Sequence, residues 1–160
     1  MKRYAADTTV PAARSRGEID SLLRQWKCKG IQWTDQFDDG IVVLRFAWAF
    51  EGNSYMTRFT IRLPSESELM KQAIDGRSST KISPIKLEKL QAKQGQQEHR
   101  ILLLWLKAAF NAVQAGIVRA EEIFLPFLEG ANGQTVSEAV LPRLALLMTD
   151  NPSRLLTQGA

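Results

Sequence analysis

Residues 30–63 read GIQWTDQFDDGIVVLRFAWAFEGNSYMTRFTIRL, and apolar side chains recur at alternate positions through most of the stretch, the period of a strand with one buried face. Asp39-Gly40 and Gly52-Asn53 are both two-residue hairpin signals, because Gly, Asn and Asp accept the positive φ that such turns demand. With Asp39-Gly40 as the first turn, Phe37 faces Val42, Trp33 faces Phe46 and Ile31 faces Trp48. With Gly52-Asn53 as the second, Phe50 faces Tyr55, Trp48 faces Thr57, Phe46 faces Phe59, Leu44 faces Ile61 and Val42 faces Leu63. Both registers place Ile31, Trp33, Phe37, Val42, Leu44, Phe46, Trp48, Phe50, Tyr55, Phe59, Ile61 and Leu63 on one face of a three-stranded antiparallel meander. A slip of one residue would turn either set over, so the agreement of two independent turns supports the pairing.

The opposite face carries Gln32, Thr34, Gln36, Arg45, Arg58, Thr60 and Arg62, with Val43, Ala47, Ala49 and Met56 among them. It holds three arginines and no acid at an in-strand position. Side chains of this kind standing up from a sheet can contact phosphates and bases, and arginine matches phosphate with a planar fork. Arg45, Arg58, Arg62, Thr34 and Thr60 are therefore candidate nucleic-acid contacts, joined by Arg14 and Arg16 from the basic N-terminal region. A solvated face whose threonines and arginines simply suit strands is the competing reading.

Outward from the meander the chain reads as helical. Ser15 and Glu18 have capping-box spacing and predict a helix start, after which Ile19, Leu22, Leu23 and Trp26 fall on one face. Pro64 ends the third strand, and a short helix is possible over Glu66 to Ile74. DGRSSTKISP, residues 75–84, has the composition of a mobile loop. From about Gln96 to Ala115 runs the strongest helix, with Gly116 where a C-terminal cap belongs. Its apolar surface is broad enough to be covered on more than one side. Arg119 to Leu125 reads as a short helix ended near Pro126. Thr135 and Glu138 form a second capping box before a last helix over roughly Val136 to Met148, interrupted by Pro142.

The expected architecture is one α+β domain over 15–148, a meander packed against helices in α-β-β-β-α-α order. A long, partly helical flexible insertion follows the third strand at 64–96. Residues 1–14 are read as a mobile arm and 149–160 as a loose tail.

Composition limits the function classes. The chain has 160 residues, 44% of them apolar and 24% charged, which is ordinary for a globular domain. One cysteine, Cys28, and one histidine, His99, cannot form an internal disulfide or a His/Cys zinc site. No apolar run reaches membrane-spanning length, so a protein of the cytoplasm is expected. The formal net charge is +4, with seven Lys/Arg against three Asp/Glu in residues 1–30 and seven against five in 64–100. That surplus favours a polyanionic partner.

Catalytic patterns are sparse. Asp35, Asp38 and Asp39 cluster at the first hairpin, where a divalent cation could bind, yet the turn itself accounts for them. Glu121 and Glu122 suit the first turn of a helix. His99 has no recognisable partner and reads as a surface or capping residue. Cys28, between Lys27 and Lys29, reads as a packing cysteine, although its neighbours could depress its pKa. Trp26, Trp33, Trp48 and Trp105 all fall on apolar faces and read as core. No glycine-rich phosphate loop or nucleophile elbow is present. The expectation is no enzyme, no cofactor and no metal.

Thr9-Val-Pro-Ala-Ala-Arg-Ser-Arg-Gly-Glu-Ile19 resembles the Thr-x-Pro-x-x-Arg-Ser-x-x-Glu-Ile opening of a family of small, functionally uncharacterised bacteriophage and prophage proteins. The likeness continues in LLWLKAAFNAVQAGI, residues 103–117, and in EEIFLPFLEGANGQTV, residues 121–136. GNSYMTRFTIRLP departs from it, standing where a shorter second hairpin is expected. The resemblance implies a phage or mobile-element origin in a bacterial host cell and supplies no site residues. The element order is also that of double-stranded RNA-binding domains, as topology only. The long gap after Leu63 and the lack of a lysine cluster opening the second main helix set the chain apart from them.

Two functions are expected. The first is a non-enzymatic accessory protein that binds nucleic acid through the sheet face and the N-terminal region. The alternative is a protein-interaction module or inhibitor acting on a host or phage protein, as a monomer or an oligomer. Apolar residues 101–113 and the run IFLPFL at 123–128 would form its surface.

Overall fold

The computed structural model describes residue 5 and residues 8–74 and 83–148. Most of the expected arm before residue 8, the loop at 75–82 and the tail at 149–160 lie outside the described residues. The elements are α1 (Ala12–Gln25), β1 (Gly30–Gln36), β2 (Ile41–Phe50), β3 (Asn53–Arg62), α2 (Glu66–Ile74), α3 (Pro84–Gln114), α4 (Ala120–Phe124), a 3-10 turn (Leu125–Phe127) and α5 (Val136–Met148). The fold is α+β, with an open antiparallel sheet in the order β1-β2-β3. Among the described residues no helix is long and apolar enough to cross a membrane.

The buried face of the sheet is the one the alternation predicts, but both registers differ by two residues. Trp33 pairs with Leu44 and Ile31 with Phe46; Trp48 pairs with Tyr55 and Phe46 with Thr57. The first loop is Phe37–Gly40 and the second is Glu51-Gly52, where φ is 48° and 80°, the positive pair that a type I′ turn requires. An even shift keeps every side chain on its face. Phe37 alone leaves the buried set: it sits in the loop and is 88% exposed. Gly40 is required where it stands, since its φ is +61° and a Cβ there would lie 3.2 Å from the carbonyl oxygen of Leu63.

Both main helices pack on the aromatic face. Ile19 and Leu23 of α1, and Leu102, Leu103, Leu106, Ala109 and Phe110 of α3, join Val42, Leu44, Phe46, Trp48, Phe59 and Ile61 in one core. All four tryptophans pack in or against it. The expected exposure of 101–113 and 123–128 is not found. Phe124 is 1% exposed at the centre of the cluster, edge-on to Phe46 at 5.8 Å and to Trp105 at 5.9 Å. Phe127 lies 4.5 Å from Phe59. Thus α4 and the 3-10 turn close the long helix. Of the run, Leu125, at 50%, and its neighbour Pro126 are exposed.

Helix starts differ in two places. α1 begins at Ala12 after Pro11, not at Ser15, because proline sets φ for helix entry and two alanines follow. Ser15 is instead 0% exposed inside the helix, and no hydrogen-bond partner meets its buried Oγ. α3 begins at Pro84, where Ser83 caps the amide of Lys86, and not near Gln96. The expected insertion is therefore largely helical among its described residues. At the other end, the amides of Gly116 and Ile117 donate to the carbonyls of Val113 and Ala112, the paired bonds of a Schellman motif.

Candidate nucleic-acid interface

The polar face of the sheet assembles from three cross-strand rows, Gln32–Arg45–Arg58, Thr34–Val43–Thr60 and Gln36–Ile41–Arg62. Like charges placed directly opposite repel, so Arg45 and Arg58 need a counter-ion. It comes from the C-terminal segment. Leu128 bridges to Thr57 on the free edge of β3, and the amide of Glu129 donates to the carbonyl of Met56 at 2.8 Å. This places the Glu129 carboxylate 2.8 Å from Arg45 Nε and 3.6 Å from Arg58 Nε. Glu138 also takes Arg58 through Nη2. The Glu129 hydrogen bond raises the Arg45 pKa above its ordinary value. Glu138 is held in place by the predicted capping box, its carboxylate accepting the Thr135 amide at 2.9 Å.

Two of the three sheet arginines are thus neutralised. Arg62 is exposed, and no ion pair to it is found among the described residues. Thr60 is exposed and Thr34 half-buried on the same face. Arg14 and Arg16 are not part of this surface, since α1 lies on the other side of the sheet.

Arg16 is fully engaged. Its Nη atoms hold the Asp35 carboxylate, one at 2.9 Å; its Nε donates to His99 Nε2 at 2.9 Å; its guanidinium lies 4.9 Å from the centre of the Trp33 ring. The Arg16 hydrogen bonds hold Asp35 below the ordinary carboxylate range. His99 is 2% exposed and not a surface residue. Its Nδ1–H donates to the Gly95 carbonyl at 2.7 Å, which leaves Nε2 as the acceptor from Arg16. Burial, with the adjacent guanidinium, lowers the imidazole pKa. An imidazole with both nitrogens committed and a cation at its lone pair is poorly placed to act as a general base.

Arg16, Asp35 and His99 line a cleft of about 1090 Å³ between the Phe37–Gly40 loop, the end of β3 and α3, to which Asp38, Asp39, Arg62 and Glu88 also contribute. Among the described residues no cluster of three or more His, Cys, Asp or Glu could hold a metal ion. Cys28 is half-buried, and burial pushes its thiol up to about 11 despite the flanking lysines.

The early start of α3 exposes a feature that the sequence reading missed. Lys86, Lys93, Arg100 and Lys107 stand seven residues apart on one unbroken helix, so they follow one another along one side, about 10.5 Å apart in rise. Lys89 lies on the same side. Lys86, Lys89 and Lys93 are exposed, with no ion pair to them among the described residues. Arg100 and Lys107 meet Glu18 of α1 at 3.1 and 3.7 Å, and Arg14 meets it at 3.5 Å. The seven-residue spacing was readable in the sequence, but only once the helix is known to begin at Pro84. The lysine cluster that the sequence reading did not find at the opening of the second main helix is therefore present.

Comparison with models of known protein families, with curated proteins and with solved structures yields no match.

Proposed function

We propose that the chain is a non-enzymatic accessory protein of phage type, working in the bacterial cytoplasm, that holds nucleic acid by its phosphates along the α1–α3 side of the domain. One observation carries the reading: six cations, Arg14, Lys86, Lys89, Lys93, Arg100 and Lys107, lie along this side with Glu18 as the one carboxylate paired to any of them among the described residues. The sheet face is the weaker seat, because Glu129 and Glu138 already occupy Arg45 and Arg58. Phosphate contacts fix position without reading sequence, so binding of low sequence preference is expected. The experiment is fluorescence anisotropy with single- and double-stranded DNA and RNA at about 50 mM salt, a regime in which phosphate contacts are strong. No binding to any of them overturns the proposal. Magnesium-dependent cleavage abolished by Asp38→Ala or Asp39→Ala overturns its non-enzymatic half.

A second reading, interaction with another protein or self-association, is favoured by α5. Val140, Leu141 and Leu144 are exposed at 42%, 60% and 41%, an apolar display of the kind that marks interfaces. Light scattering tests it directly, and a monodisperse monomer that captures no partner counts against it.

A further inference from the structure

We infer that the crossing of α1 and α3 is a phosphate-binding site whose resident anion is Glu18, displaced when a phosphodiester docks. The inference rests on the nucleic-acid reading above. Glu18 stands in the second turn of α1 and is met by Arg100 Nη1 at 3.1 Å, Arg14 Nε at 3.5 Å and Lys107 Nζ at 3.7 Å. Three cations from two helices converge on one carboxylate, and the cluster keeps a net positive charge. Two of them are guanidinium forks, whose donors match the oxygens of phosphate as well as those of carboxylate.

The other anchored carboxylates do not share this arrangement. The Glu129 side chain is 10% exposed and faces two cations, and Asp35 is held by Arg16 alone. Those pairs close structural contacts. The Glu18 side chain is 31% exposed, with Arg14 at 73% and Lys107 at 46%, so a polyanion reaches the cluster without unfolding anything. The position also fits. Arg100 and Lys107 are the last two members of the seven-residue row, and a backbone lying along Lys86 and Lys93 passes over Glu18. Seated there, Glu18 competes with the incoming phosphate and weakens binding.

The test is Glu18→Gln, which keeps size and one acceptor oxygen but removes the charge. Affinity for the polynucleotide that the wild type binds best should rise roughly three- to tenfold at about 50 mM salt, and the plot of log affinity against log salt should steepen by about 0.9, the release expected for one more phosphate contact. Arg100→Gln should flatten that slope by about the same amount and provides an independent variant should Glu18→Gln fold poorly, as judged by a thermal melt. Inorganic phosphate serves as the second probe. Tightening confined to the polynucleotide assigns the site to nucleic acid, tightening for both assigns it to phosphate in general, and either supports the inference. If the wild type binds but Glu18→Gln binds no more tightly and Arg100→Gln leaves the slope unchanged, the inference fails and the nucleic-acid reading stands. If neither wild type nor variant binds any polynucleotide, both fail.

Discussion

Arg45 and Arg58 face each other directly across β2 and β3, and the carboxylate of Glu129 stands against both. The sheet therefore depends on a residue far along the chain to hold two like charges side by side. Replacing Glu129 by Gln leaves them opposed and partly desolvated. We expect a loss of about 1–2 kcal/mol, below the figure for a fully buried pair because Arg45 remains partly exposed. Urea denaturation should show the loss, and adding Arg45→Gln in the same chain should restore part of it. No change on Glu129→Gln would show that Glu138, which still pairs with Arg58, and solvent suffice to screen the two arginines.

Ser15 separates two readings of the N-terminal motif. If it capped α1, its removal would cost about 1 kcal/mol. It is instead buried within the helix with an unpartnered Oγ, and an unpaired buried hydroxyl is a liability. Ser15→Ala should be neutral or stabilising by up to about 1 kcal/mol, read as a raised urea midpoint at unchanged slope.

The buried imidazole predicts an acid limb in stability. His99 has a pKa below its ordinary 6.5 in the fold, so the unfolded chain binds the proton first. The folded state is fully favoured above about pH 6.5 and loses ground as pH falls toward the lowered value, by at most about 1.4 kcal/mol per pH unit. The depressed Asp35 adds a second loss only below its ordinary 3.8. With one histidine in the chain, a single imidazole NMR titration reads the midpoint. A midpoint at or above 6.5 would contradict the burial and the Arg16 contact.

Cys28 should be inert in the native protein. A thiol pushed up to about 11 is almost wholly protonated at pH 8, and the thiolate is the nucleophile. Reaction with a disulfide reagent at pH 8 should be slow and should accelerate sharply on adding denaturant. Rapid native reaction would show that Lys27 and Lys29 outweigh burial.

What the sequence made legible follows from parity and local signals. The buried face of the sheet was readable because alternation survives a two-residue shift, and every predicted face residue except Phe37 kept its side. The register was not, because Glu51 adopts the positive φ that the eye assigns to Asn53, and because the first loop spans four residues where two would serve. The Thr135–Glu138 cap and the Gly116 stop were readable because they are made within a few residues. The partners of Arg45, Arg58 and Arg16 were not, because Glu129, Glu138, Asp35 and His99 reach them through the fold, with no local pattern to announce it. The basic row on α3 was hidden because the strong apolar pattern begins only near Gln96, just after Gly95, which lies buried inside the helix.

The central claim is that phosphates are held by the α1–α3 side and not by the sheet. The most direct measurement is the salt dependence of polynucleotide binding for three proteins: wild type, Lys86→Ala/Lys89→Ala/Lys93→Ala, and Arg62→Ala. The account predicts a wild-type slope of about −4 to −5 in log affinity against log salt, flattened by about 2.7 in the triple variant and unchanged in Arg62→Ala. A slope that the three lysine replacements leave intact while Arg62→Ala flattens it would contradict the account and return the interface to the sheet.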